Sequence, residues 1–147
     1  MADLMKTLQD LVSTCRDSEE GFAKAAKGAH SDGLRDAFAG IEAERSGFAE
    51  ELGRLIRKLG GEPPAGGHLS GIQHKGWREL EESIRPKDDV TFLAECRTGE
   101  QNTLRHYEHA LTLELPPEVR AALTRQRMGI QTTLEELEEF EAERRAG

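Results

Sequence analysis

Several side chains able to do chemistry stand where a helical core would ordinarily place apolar ones. They are Glu19 or Glu20, Arg45, Glu100 and Gln126, with Glu44 beside Arg45 and the phenol of Tyr107 two turns from Glu100. Carboxylates gathered inside a bundle of helices are donors for a metal centre. A di-iron bundle takes one Glu from each of two helices and a Glu-x-x-His from each of the other two. Glu19 or Glu20 with Glu100 meets the first half of that requirement. The second half fails, because no Glu in the chain is followed three residues later by His. A guanidinium at Arg45 would also repel an incoming cation. The competing reading makes Arg45 itself the cation, held by Glu100 and by Glu19 or Glu20, with Gln126 and Tyr107 completing the hydrogen bonds. Such a layer would set the register of the helices. The leading expectation is this polar layer with no cofactor. The alternative is iron or manganese on Glu19, Glu20, Glu44 and Glu100.

The elements that must position these groups are helices. A first helix is expected over about 3–29, with Leu4, Leu8, Leu11, Cys15, Phe22 and Ala26 on its apolar stripe. His30 to Gly33 is a tight break, and Ser31 or Asp32 can cap the next helix. That helix, about 33–59, carries Leu34, Phe38, Ile41, Phe48, Leu52 and Leu55 at alternating four- and three-residue spacing, with Arg45 as its one polar intrusion. Gly60-Gly61 ends it and Pro63-Pro64 prevents its resumption. A long connection follows, with a short amphipathic helix expected over about 69–85 and Trp77 as its docking anchor. A third helix is expected over about 88–113, where Glu100 interrupts the core face, and a fourth over about 117–144, opening on Pro117. There Gln126 breaks the stripe. A connection long enough to cross a ~40 Å bundle implies two hairpins joined by a crossover rather than by a tight turn. The run Cys15-Arg16-Asp17-Ser18-Glu19 is echoed by Cys96-Arg97-Thr98-Gly99-Glu100, which makes the two hairpins related units.

Composition limits the function classes. The chain of 147 residues reads as one all-α domain, a third charged, poor in Val and Ile, with aromatics at 5%. A net charge of −8 argues against nucleic acid and against anionic membrane surfaces. No stretch approaches the ~20 apolar residues of a membrane span, and the first residues lack an apolar signal core. Cys15 and Cys96 in mid-helix fit a reducing cytoplasm and read as small buried hydrophobes, although their matching places make a disulfide conceivable. His106 and His109 read as surface histidines, and His68 and His74 fall in the crossover.

A resemblance adds to this reading. Cys15 to Ala26, Glu44-Arg45 through Leu52, Leu59-Gly60-Gly61, His74 to Trp77, Glu95 through Leu111 and Leu115-Pro116-Pro117 together resemble an uncharacterised bacterial family. That family is ferritin-like and is classed as a domain of unknown function. The resemblance covers nearly the whole chain and implies a four-helix bundle with a crossover, and no established activity. Relatives tend to carry a His-Asp pair where this chain has Leu134-Glu135, a departure that removes a ligand from any inherited metal site. Distant ferritin-like relatives store or oxidise iron or act in stress responses, but a shared fold does not transfer function. The expectation is therefore a cytoplasmic ferritin-like bundle, non-enzymatic in its leading reading, with a stress-related role. It would associate with copies of itself through helical faces. The alternative remains a metal-binding bundle with a degenerate carboxylate site.

Overall fold

The computed structural model describes residues 2–65 and 87–146, and every regular element among them is a helix. The expected helix over 69–85, with Trp77, His68 and His74, lies outside the described residues. Four helices remain: α1 (Ala2–Gly28), α2 (Asp32–Lys58), α3 (Asp89–Ala110) and α4 (Pro117–Ala146).

Their ends follow local chemistry. Ser31 caps α2, its hydroxyl accepting from the Leu34 amide at 3.4 Å. Asp88 caps α3 through the Thr91 amide at 2.8 Å. Asp89 does a different job. Its carboxylate accepts from the His30 and Ser31 amides at 2.7 and 3.1 Å, which ties the start of α3 to the α1–α2 turn. At the other end α2 stops where Gly60 takes φ +91°. Helix α3 ends at Ala110, three residues short of the sequence expectation. Arg120 explains the difference, donating to the carbonyls of Leu111 and Leu113 at 3.1 and 2.7 Å and so satisfying acceptors outside the helical ladder.

Cross-helix bonds give the topology. Cys15 meets Tyr107 and Ser18 meets Thr103, so α1 and α3 run antiparallel. Lys58 meets Glu118 and Arg125 meets Glu51, so α2 and α4 do too. With the α1–α2 turn bound to Asp89, α2 and α3 start at the same end of the bundle and are its parallel, diagonal pair. Helix α2 therefore ends at the opposite end of the bundle from the start of α3, the arrangement of two hairpins that the length of the connection implied.

The apolar core comes in two parts. One holds Leu8, Leu11, Cys15, Leu52, Ile56, Tyr107, Leu123 and Ile130. The other, nearer the α1–α2 turn, holds Phe22, Leu34, Phe38, Phe92, Leu93, Cys96 and Leu137. Between them, Ser18, Arg45, Glu100, Thr103 and Thr133 are all buried. A polar layer thus crosses the bundle at mid-height.

Among the described residues Gly60 is the one glycine at positive φ, where a Cβ costs about 1 kcal/mol. Gly60→Ala is expected to lower the unfolding free energy by about that amount, read from urea denaturation midpoints at unchanged slope.

Candidate functional site: a buried ion pair

Arg45 comes from the middle of α2 and Glu100 from the middle of α3, the diagonal pair of the bundle, and both side chains are 0% exposed. The guanidinium grips the carboxylate with two parallel bonds, Nη1 to Oε1 and Nη2 to Oε2, each 2.5 Å. Nη2 also donates to Thr133 Oγ1 on α4 at 3.1 Å and to Glu44 Oε1 at 3.4 Å. Phe22 and Phe48 cover the guanidinium at 5.7 and 5.5 Å from their ring centroids. The backbone of α4 comes close to admit this: a Cβ at Gly129 would stand 3.0 Å from Phe48 Cζ. Only Nε of Arg45 lacks a hydrogen-bond partner.

The electrostatics follow from burial and pairing. Desolvation alone would lower the Arg45 guanidinium, but the charge and hydrogen bonds of Glu100 outweigh it and hold Arg45 above its usual value. Burial pushes Glu100 above the usual carboxylate range, and the charge and hydrogen bonds of Arg45 work against that push. A guanidinium held above its already high value keeps its proton, so the pair is ionic.

A second polar chain lies toward the other end of the bundle. Tyr107 donates to Gln126 Oε1 at 2.6 Å. Its phenol proton is thereby used, so the Cys15 thiol, 3.0 Å away, must donate to the phenol oxygen. Gln126 Nε2 in turn donates to Glu51 Oε1 at 2.7 Å, and Glu51 is gripped by Arg125 at 2.9 and 2.7 Å. Hydrogen bonds from Arg125 hold the Glu51 carboxyl below its usual value. Donation therefore runs from a buried thiol outward to the Glu51 carboxylate, which accepts from Arg125 on its other side.

The single layer expected from the sequence is therefore two. Arg45 and Glu100 pair as expected, but Gln126 and Tyr107 belong to the other network. The carboxylate expected from α1 is not a partner of Arg45. Glu19 pairs instead with Arg16 at 2.7 Å, and Glu20 is exposed. Both turn away because the side of α1 facing Arg45 is occupied by Phe22, with Ser18 bonded to Thr103 at 3.2 Å. Glu44 does reach the site, as a half-exposed neighbour of the guanidinium. Glu19, Glu20, Glu44 and Glu100 do not gather. Among the described residues no three His, Cys, Asp or Glu side chains are placed to hold a metal ion. A metal does not fit this donor set, since both oxygens of Glu100 are already engaged by a cation.

Thr133, Thr103, Ser18, Glu51 and Arg125 escaped the sequence reading as participants. Ser18 and Glu51 gave no signal, because a serine in a helix and a glutamate on a helix surface are both commonplace. Cys15 and Cys96 are buried and unpaired, one in each half of the core. His106 and His109 line a cleft with Asp3, Lys6 and Asp10, and burial lowers His106.

The comparisons with known proteins can now be placed beside this geometry. The model of the family described as a domain of unknown function, DUF2383, matches residues 3–113. No curated protein matches the chain in sequence. Among solved structures, a mutant of Dps1 from Mycobacterium smegmatis shares the fold with a TM-score of 0.74 at 13% identity, covering 95% of each chain. The architecture is accordingly ferritin-like. No helix among the described residues is long and apolar enough to cross a membrane.

Arg45→Leu strands a buried carboxylate and is expected to cost about 3–5 kcal/mol in chemical denaturation. Adding Glu100→Leu should recover most of that loss, because the stranded charge is then gone. The thiol network carries a pH prediction. Burial raises Cys15 from 9.0 to about 11, so its protonated form stabilises the fold. This contribution is complete below pH 9 and is lost as the pH rises through 11. Tyr107, also raised by burial, acts with the same sign. Denaturation midpoints measured from pH 8 to pH 11 should fall, and fall less in Cys15→Ala.

Proposed function

The chain belongs to the DUF2383 family, and on that premise we propose that it is a non-enzymatic ferritin-like bundle that works by assembling with copies of itself. The observation that carries the first part is the bidentate grip of Arg45 on Glu100. Bundles of this architecture build metal and cofactor sites from side chains on facing helices at mid-height. Here that position holds a guanidinium whose charge already balances the carboxylate, so the centre has neither an open coordination position nor a spare donor pair. Support for a stress-related role comes from the ferritin-like fold, and a cytoplasmic location draws on the two unpaired thiols. The reading with iron or manganese on Glu19 or Glu20, Glu44 and Glu100 has no comparable support, because those side chains are dispersed or engaged.

Protein purified without a metal-affinity tag and incubated with ferrous iron or manganese is expected to retain no stoichiometric metal by elemental analysis. Its melting temperature should not change on chelation. Near-stoichiometric metal that disappears in Glu100→Ala would overturn this reading and make the bundle a metalloprotein.

A further inference from the structure

Helices α2 and α4 are the most loosely joined of the adjacent pairs, and their outer side is an open, exposed face. Two shallow grooves lie in line along it. One, of about 380 Å³, is lined by Asp36, Gly40, Glu44, Gly129, Thr132 and Glu136. The other, of about 620 Å³, is lined by Arg54, Lys58, Glu118, Ala121 and Arg125, with Glu51. Between them stand Gly47, with nothing near the place of a Cβ, and Met128, exposed to 62%.

Charge along this face is segregated by end. Because α2 and α4 are antiparallel, the acidic start of α2 lies beside the acidic second half of α4, where Glu139 and Glu143 continue the stripe of Glu136. The opposite end brings Arg54 and Lys58 beside Arg125. Part of the basic end is neutralised by Lys58–Glu118 and Arg125–Glu51. Asp36, Glu136 and Arg54 form no ion pair among the described residues.

We propose that the α2–α4 face is a twofold interface with a second copy of this chain, packed antiparallel about an axis near Gly47 and Met128. This rests on the assembly reading above and specifies its surface. An isologous contact needs a self-complementary patch. Turning the face by half a turn about Gly47 sets each acidic end on the partner's basic end. Asp36 and Lys58 stand equally far from Gly47 along α2, so they face each other across the axis. Gly40 and Arg54 are matched in the same way, and the open space at Gly40 accepts the long arginine side chain. Met128 is then covered near the axis. A strip two helices wide and ~40 Å long covers roughly 800 Å² per copy, the size of a standard stable interface.

Sedimentation equilibrium of the full chain tests this with two charge-reversed variants. One combines Asp36→Lys with Glu136→Lys, and the other combines Arg54→Glu with Lys58→Glu. The wild type is expected to be a dimer, and each variant alone should raise the dissociation constant by roughly 100-fold. An equimolar mixture of the two should restore dimers, because the reversed end of one variant then faces the reversed end of the other and the two native ends face each other, so both contacts again join opposite charges. Helicity and melting of the isolated variants should match those of the wild type diluted to monomer. Met128→Arg, at the axis, should weaken the dimer without involving either charged end. A wild-type dimer unaffected by these changes, or a mixture that fails to restore it, overturns the α2–α4 interface and leaves self-assembly standing on another face. A wild type that is monomeric at several hundred micromolar overturns both.

Discussion

A guanidinium and a carboxylate without exposed surface have almost no freedom in how they meet. Arg45 and Glu100 lie on diagonal helices, so their two parallel bonds set the height of α2 against α3 across the centre of the bundle. Sliding either helix by one residue would separate the charges in a medium that solvates neither. Apolar packing alone is more tolerant, since leucines accept neighbours in several registers. The pair therefore contributes specificity more than net stability, as the desolvation of two charges offsets most of their attraction. Thr133 brings α4 to the same level, Phe22 brings α1, and all four helices are indexed to one guanidinium.

The same constraint explains how a ferritin-like frame can hold a centre unsuited to metal. A carboxylate inside a bundle needs a positive partner, and either a metal ion or a guanidinium supplies it. Arg45 brings its own donors and needs no further ligands, and Glu19 and Glu20, one turn from Cys15, take no part in its site. The second network has a different logic. Tyr107 and Gln126 are neutral, cost less to bury, and pass their hydrogen bonds outward to Glu51, which Arg125 holds from the solvent side. The thiol of Cys15 sits at the dry end of that chain, held protonated by burial, and is a packing group with one hydrogen bond to give.

The looseness between α2 and α4 belongs to the same design. Arg45 reaches Thr133 across this seam, and a Cβ at Gly129 would crowd Phe48 over the guanidinium at 3.0 Å. Two shallow grooves lie along the outer side of the seam, and the antiparallel pairing of the two helices places Asp36 and Glu136 at one end and Arg54, Lys58 and Arg125 at the other. Charge arranged in this way is complementary to a copy turned end for end.

How much of this was legible beforehand depends on the range of the interaction involved. Local signals decided the helices: the four-and-three spacing from Leu34 to Leu55, a cap at Ser31 or Asp32, and the glycine at position 60 with prolines beyond it, while the structure selected Ser31 as the cap. The length of chain between Gly60 and Lys87 also decided the crossover, because a return path must be as long as the bundle. Arg45 and Glu100 were visible as intrusions in apolar stripes, and burial cost required each to find a partner, either one another or a ligand. The sequence could not decide which other groups join them. Spacing along a helix gives height and face only to within about a turn, which is the difference between one polar layer and two. Nor could it show that Phe22 takes the place expected for an α1 carboxylate, or that α2 and α4 meet loosely. Those depend on the rotation of each helix about its own axis, which is settled only when four helices pack together.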